Sequence, residues 1–99
     1  MLRRSPVVQQ VASGFYDPDP EAFASREEYA QAVLRMDERF RADVLRELGV
    51  SRSPIVDEVW RACVAIADGD RLGTLRCMGK MKSVLVRVDA LARERDAAG

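Results

Sequence analysis

Apolar residues recur every three or four positions along most of the chain, and the interruptions in that rhythm divide it into helical segments. Ser5 and Pro6 have the order of an N-cap and a first helical residue, and Val7, Val8 and Val11 give a short apolar edge that Ser13 and Gly14 close. The next stretch, FYDPDPEAF, breaks regular structure twice, because each proline disfavours the α conformation in the aspartate before it. Phe15, Tyr16 and Phe23 make it an aromatic arm expected to pack down. From a Ser25/Glu28 capping box, Tyr29, Val33, Met36, Phe40, Val44 and Leu48 repeat until Gly49, which predicts one long amphipathic helix.

Ser53 then caps a helix with Pro54 at its first position. Ile55, Val56, Val59, Trp60, Cys63, Val64, Ile66 and Ala67 cover most of its circumference, so it needs cover on several sides. ADGDRLG reads as a turn. Leu75, Met78, Met81, Leu85, Val88 and Ala92 follow as a stripe on a last helix reaching the 90s. Gly79 lies inside that stripe and signals either a close helix crossing or a break. No alternating pattern of useful length, internal repeat or low-complexity segment is present. The expected architecture is all-α: residues 1–24 as a short helix and Pro-rich arm, and residues 25–97 as a small bundle of three main helices, one domain overall.

Composition supports a folded chain, with 47% apolar and 32% charged residues among 99. Sixteen basic and sixteen acidic side chains cancel, so any attraction to nucleic acid or an anionic membrane must be local. The local distribution is uneven: residues 17–47 carry nine acidic and five basic side chains, and residues 71–95 seven basic and two acidic. On a wheel of about 100° per residue, Arg76, Lys80 and Arg87 fall together opposite Leu85, as a phosphate-tracking stripe or an ordinary solvated face. A further reading is that the basic helix packs beside the acidic one, in the same chain or in a partner. Cys63 and Cys77 lie in helical patterns without C-x-x-C pairing, as buried structural thiols of a reducing compartment would. The start, MLRRSPVVQQ, lacks the apolar run of a signal peptide, and no 18-residue apolar run could span a bilayer. A cytoplasmic protein is expected. Fourteen arginines against two lysines associate with a bacterial source of high G+C content.

The string LGVSRSPI, Leu48 to Ile55, resembles the helix-turn-helix of GntR-type bacterial repressors over about fifteen of the 99 residues. The resemblance implies that Val44, Leu48, Val50 and Ile55 are buried, that Gly49 makes the turn and that Arg52 faces DNA. The departures are physical. Leu45 stands where the motif needs a small residue, and Glu58 where the second helix returns to the core. Val56, Asp57, Glu58 and Val59 replace the family's Arg-Glu-Ala-Leu string, and the following β-wing is missing from the pattern. Ser51, Arg52, Ser53, Val56, Asp57 and Trp60 would form the DNA-facing surface, which carries too few cations to hold phosphates well and suits a protein better.

Enzyme chemistry is not expected. With no histidine the chain lacks the commonest general base and metal ligand. Its acids are unfocused: Asp37 with Arg41 and Asp43 with Glu47 have the spacing of surface helix pairs. The glycines do not spell a phosphate loop, and DGD at 68–70 lacks the remaining ligands of a calcium loop. No cofactor or metal is implied.

The expected function is a small helical interaction or regulatory module, an adaptor, inhibitor or assembly subunit, whose partner is another protein or a second copy in a homodimer. Its expected contact residues are Val56, Trp60, Val84 and Leu91. The alternative is a DNA-binding regulator using Arg52, Arg76, Lys80 and Arg87.

Overall fold

The computed structural model describes residues 5–98, all of whose regular elements are helical. Arg3 and Arg4, which belong to the reading of the chain start, lie outside the described residues. The main helices are α1 (Pro6–Ala12), α2 (Arg26–Leu48), α3 (Pro54–Ile66), α4 (Arg71–Lys80) and α5 (Lys82–Ala98), with a single 3₁₀ turn at Pro20–Ala22. Contacts gather into two compact units, Met1–Val44 and Leu45–Gly99, with the boundary inside α2. The sequence pattern reads residues 1–24 as a short helix and proline-rich arm and residues 25–97 as a bundle, one domain overall.

In the N-terminal unit the Ser5 hydroxyl accepts from the Val8 N–H, and the proline after it needs no partner for its nitrogen. α1 ends as its sequence suggests, with Gly14 at φ +78° and the Phe15 N–H returning to the Gln10 carbonyl. The arm then packs down through Tyr16, which is fully buried. α2 starts where Ser25 Oγ accepts from the Glu28 N–H at 3.1 Å. Ala32, Phe40 and Val44 are its buried apolar residues in this unit, and Tyr29, Val33 and Met36 are half-buried. Asp43 departs from the expected surface pair with Glu47: it is buried, between the Tyr16 hydroxyl at 2.8 Å and the Arg39 guanidinium at 3.1 Å.

The C-terminal unit opens with the last residues of α2. Gly49, at φ +75°, lets the Gly49 N–H reach the Arg46 carbonyl and the Val50 N–H reach the Leu45 carbonyl. These are the paired bonds of a Schellman ending, and the usual apolar partners, here Leu45 and Val50, are both buried. Leu45 thus has a role in closing the helix. Ser53 caps α3 by accepting from Val56, and α3 ends by the same device, with Asp68 and Gly69 both at positive φ.

α3 packs on α4, and α4 on α5. Asp70 caps α4 through the Gly73 N–H at 2.8 Å, so the helix begins within the segment read as a turn. At Gly73 an added Cβ would stand 3.0 Å from the Ala67 Cβ, which explains the small residue. The single last helix of the sequence pattern is two helices. After Gly79 the Met81 N–H turns back to the Met78 carbonyl, and the Met81 carbonyl starts α5 by accepting from Leu85. Leu75, Met78 and Leu85 of the expected stripe are buried, Met81 and Val88 half-buried, and Ala92 exposed.

Candidate interaction site

A clasp between the α2–α3 turn and α5 sets the orientation of the last helix. Asp89, buried on α5, accepts from the Ser51 N–H at 3.3 Å and pairs with Arg93, one turn on, at 3.0 Å. The same Arg93 nitrogen donates to Ser51 Oγ at 2.8 Å, closing a triangle of three groups. Leu85 is buried one turn before Asp89. With Leu85 and Asp89 directed inward, the residues rotated by about 100–140° from them must face out.

Those residues are apolar. Val84 is 52% exposed and Leu91, seven positions on and nearly in line with it, is 57% exposed, with half-buried Val88 between them. Exposed Arg87, Glu94 and Arg95 border the stripe. From Ala90 to Ala98 no residue is buried, so α5 runs on past its last buried residue, Asp89. Of the four contact residues read from sequence, Val84 and Leu91 therefore occupy this outward face. Val56 and Trp60 do not: Val56 has no exposure and Trp60 is buried, both inside the C-terminal unit. The Ser53 cap fixes the first turn of α3 so that Val56 points inward, and Trp60 follows one turn later. Ile55, expected in the core, is about 100° round from Val56 and exposed.

The four cations of the alternative reading are all exposed but are not gathered on one element. Arg52 pairs with Asp57 at 3.3 Å beside the turn. Arg76 and Lys80 are on α4 and Arg87 is on α5, so the interruption at Met81 removes the single helical register that aligned them. Lys80 and Lys82 line a shallow depression with Gly79, Ser83 and Val86.

The clasp residues Ser51, Asp89 and Arg93 were missed by the pattern reading, which placed Ser51 toward DNA. A signal was available: Asp89 sits between Leu85 and Ala92 on the inward side of a helical stripe, with Arg93 at the i+4 position. Cys63 is buried and Cys77 half-buried. Burial pushes the Cys63 thiol from 9.0 up to about 12, and the hydrogen bond and charge of Cys77 act in the same direction. Such a thiol stays protonated and unreactive at neutral pH.

Among the described residues no group of three or more metal-ligating side chains is found, and no helix is long and apolar enough to cross a membrane. Comparison with protein-family models, curated proteins and solved structures found no match.

Proposed function

We propose that the chain is a helical protein-interaction module, with α3, α4 and α5 forming a small bundle that presents the outward side of α5. The observation that carries this reading is the pair of exposed large side chains, Val84 and Leu91, in line on a helix whose opposite side is pinned by Asp89. Isolated apolar residues are common on protein surfaces, but an aligned apolar stripe on an amphipathic helix is the form in which helix-in-groove contacts are made. The nine-residue extension of α5 beyond its last buried residue supports the same reading, since a short helix gains most of its stability from tertiary packing.

The test is affinity capture with the immobilised chain against the Val84→Glu/Leu91→Glu variant. Both positions are exposed, so circular dichroism should show unchanged helicity while specific partners are lost. Retention of the same proteins by both chains removes α5 from the contact.

The alternative is the DNA-binding regulator implied by the helix-turn-helix resemblance, supported by the exposure of Arg52, Arg76, Lys80 and Arg87. Against it stand the engagement of Ser51 by Asp89 and Arg93 and the pairing of Arg52 with Asp57. A duplex titration at about 50 and about 200 mM salt separates the two readings: phosphate contacts give binding that collapses with salt, and the interaction module gives none.

A further inference from the structure

We infer that Cys63 and Cys77 are a redox-sensitive pair, joined by a peroxide into one disulfide that ties α3 to α4 and released again by a dithiol. They are the only cysteines of the chain, and both are free. Their placement follows from the hairpin of α3 and α4, the most extensively packed pair of helices among the described residues. Ala67, at the end of α3, lies against Gly73 in the first turn of α4, so closely that an added Cβ would stand 3.0 Å from its own. Four residues back along α3 from that contact is Cys63, and four residues on along α4 is Cys77. A step of four residues is about one turn on the same face, so the two cysteines stand opposite each other. Their thiols are hydrogen-bonded. A disulfide requires Cβ atoms about 3.8 Å apart, which helices in contact one turn away can reach.

The two thiols differ in access. Cys63 is 2% exposed and Cys77 half-buried, so a dissolved oxidant meets Cys77 first. With hydrogen peroxide the Cys77 sulfur takes one oxygen as the O–O bond breaks, giving a sulfenic acid and one water. The Cys63 sulfur then displaces that oxygen. The S–S bond forms as the S–O bond breaks, and the hydroxide leaves with the Cys63 proton as a second water. Two sulfurs lose one electron each, and the peroxide gains both. The burial that shields Cys63 from solvent leaves it this one partner, held in place as an intramolecular reactant. A dithiol reverses the bond by exchange and is itself oxidised to a disulfide.

Peptide mapping of the purified full chain, freed of reductant and treated with stoichiometric hydrogen peroxide, tests this. Trypsin cuts after Arg61, Arg71, Arg76 and Lys80, so Ala62–Arg71 and Cys77–Lys80 separate unless the disulfide joins them. The expected product is a monomer lighter by two hydrogens, without a free thiol, whose joined peptides separate on adding dithiothreitol. It should also unfold at higher urea than the reduced chain, because a cross-link restricts the unfolded state. In Cys77→Ala the remaining Cys63 should react with peroxide about tenfold more slowly than Cys77 does in Cys63→Ala.

Four results would overturn the inference. Sulfinic or sulfonic acid at Cys77 beside a free Cys63 means that the two thiols do not meet. A disulfide between two chains means that Cys77 finds a second copy before it finds Cys63. Two intact thiols mean that the oxidant does not reach Cys77. An oxidised chain that unfolds at lower urea shows a bond made only by distorting the packing of α3 on α4.

Discussion

In the N-terminal unit a phenol, a carboxylate and a guanidinium meet among aromatic rings, whereas in the C-terminal unit most of the fully buried side chains are apolar or thiol: Val56, Cys63, Met78 and Leu85. Tyr16 lies edge-on to both Phe15 and Phe40 at 5.1 Å, and Arg39 sits 5.8 Å over the Phe15 ring while holding Asp43. The phenol has one proton and contacts two oxygens, Asp43 Oδ2 at 2.8 Å and Gln10 Oε1 at 2.6 Å. The carboxylate is the stronger acceptor, so we assign the proton to Asp43 and turn the Gln10 amide to donate to the phenol oxygen. The C-terminal unit has a buried hydroxyl too, Thr74, but it bonds the Asp70 carbonyl within its own helix. Both units thus use a polar contact between elements, Tyr16–Asp43 in one and Ser51–Asp89 in the other. The first involves a fully buried side chain among aromatic rings, whereas the second engages an exposed turn and the fully buried side chains of its unit lie elsewhere. They should fail differently.

The protein offers a separate probe for each: both tyrosines, Tyr16 and Tyr29, belong to the N-terminal unit and the only tryptophan, Trp60, to the C-terminal one. The largest effect is expected from Met78→Ala, which empties a site with no exposure and should cost about 2–5 kcal/mol. Tryptophan emission followed in urea should show the lowered midpoint; an unchanged one would mean that the bundle core lies elsewhere. Tyr16→Phe removes one hydroxyl and leaves Asp43 short of a donor, for about 1–3 kcal/mol. Here the urea dependence of the near-ultraviolet dichroism of the remaining Tyr29 is the readout, and an unchanged midpoint would make the aromatic packing sufficient without the polar bridge.

A pH titration sharpens the contrast further. Since the folded Cys63 thiol titrates near 12 rather than 9.0, the unfolded chain loses its proton first as pH rises. The stabilisation is complete below about 9 and is lost between about 9 and about 12. Cys63→Ala should flatten the decline over that window relative to wild type, and equal slopes in the two chains would refute the assignment. The smallest effect is expected at Ile66, 76% exposed at the end of α3, where Ile66→Ser should change the unfolding free energy from a urea titration by less than about 0.5 kcal/mol. A larger loss there would reveal a contact made in solution.

Much of the helical layout was legible because its signals are local. Ser5, Ser25 and Ser53 each begin a helix where a small polar residue precedes the turn, and Gly14 and Gly49 end one at positive φ. The division of the last helix at Met81 was only half legible: Gly79 marked the place, but an unbroken apolar stripe from Leu75 to Val88 argued for continuity. Long-range partners were not legible at all. Nothing about Asp43 in sequence distinguishes an exposed member of a helix pair from a residue meeting Tyr16, 27 positions earlier. For the same reason the outward face was read only in part. Val84 and Leu91 follow from the periodicity of one helix, while the burial of Val56 and Trp60 depends on how other helices cover α3.

The clasp has a kinetic consequence. Ser51 and Asp89 are 38 residues apart, with the whole of α3 and α4 between them, so the chain must close that loop before their bond can form. The contact is therefore expected to form on the native side of the folding barrier. Ser51→Ala, which removes the Arg93 contact, should leave the refolding rate nearly unchanged and show its loss almost wholly as faster unfolding. What the triangle contributes is then persistence: it governs how long α5, once docked, stays in place with its outer face presented.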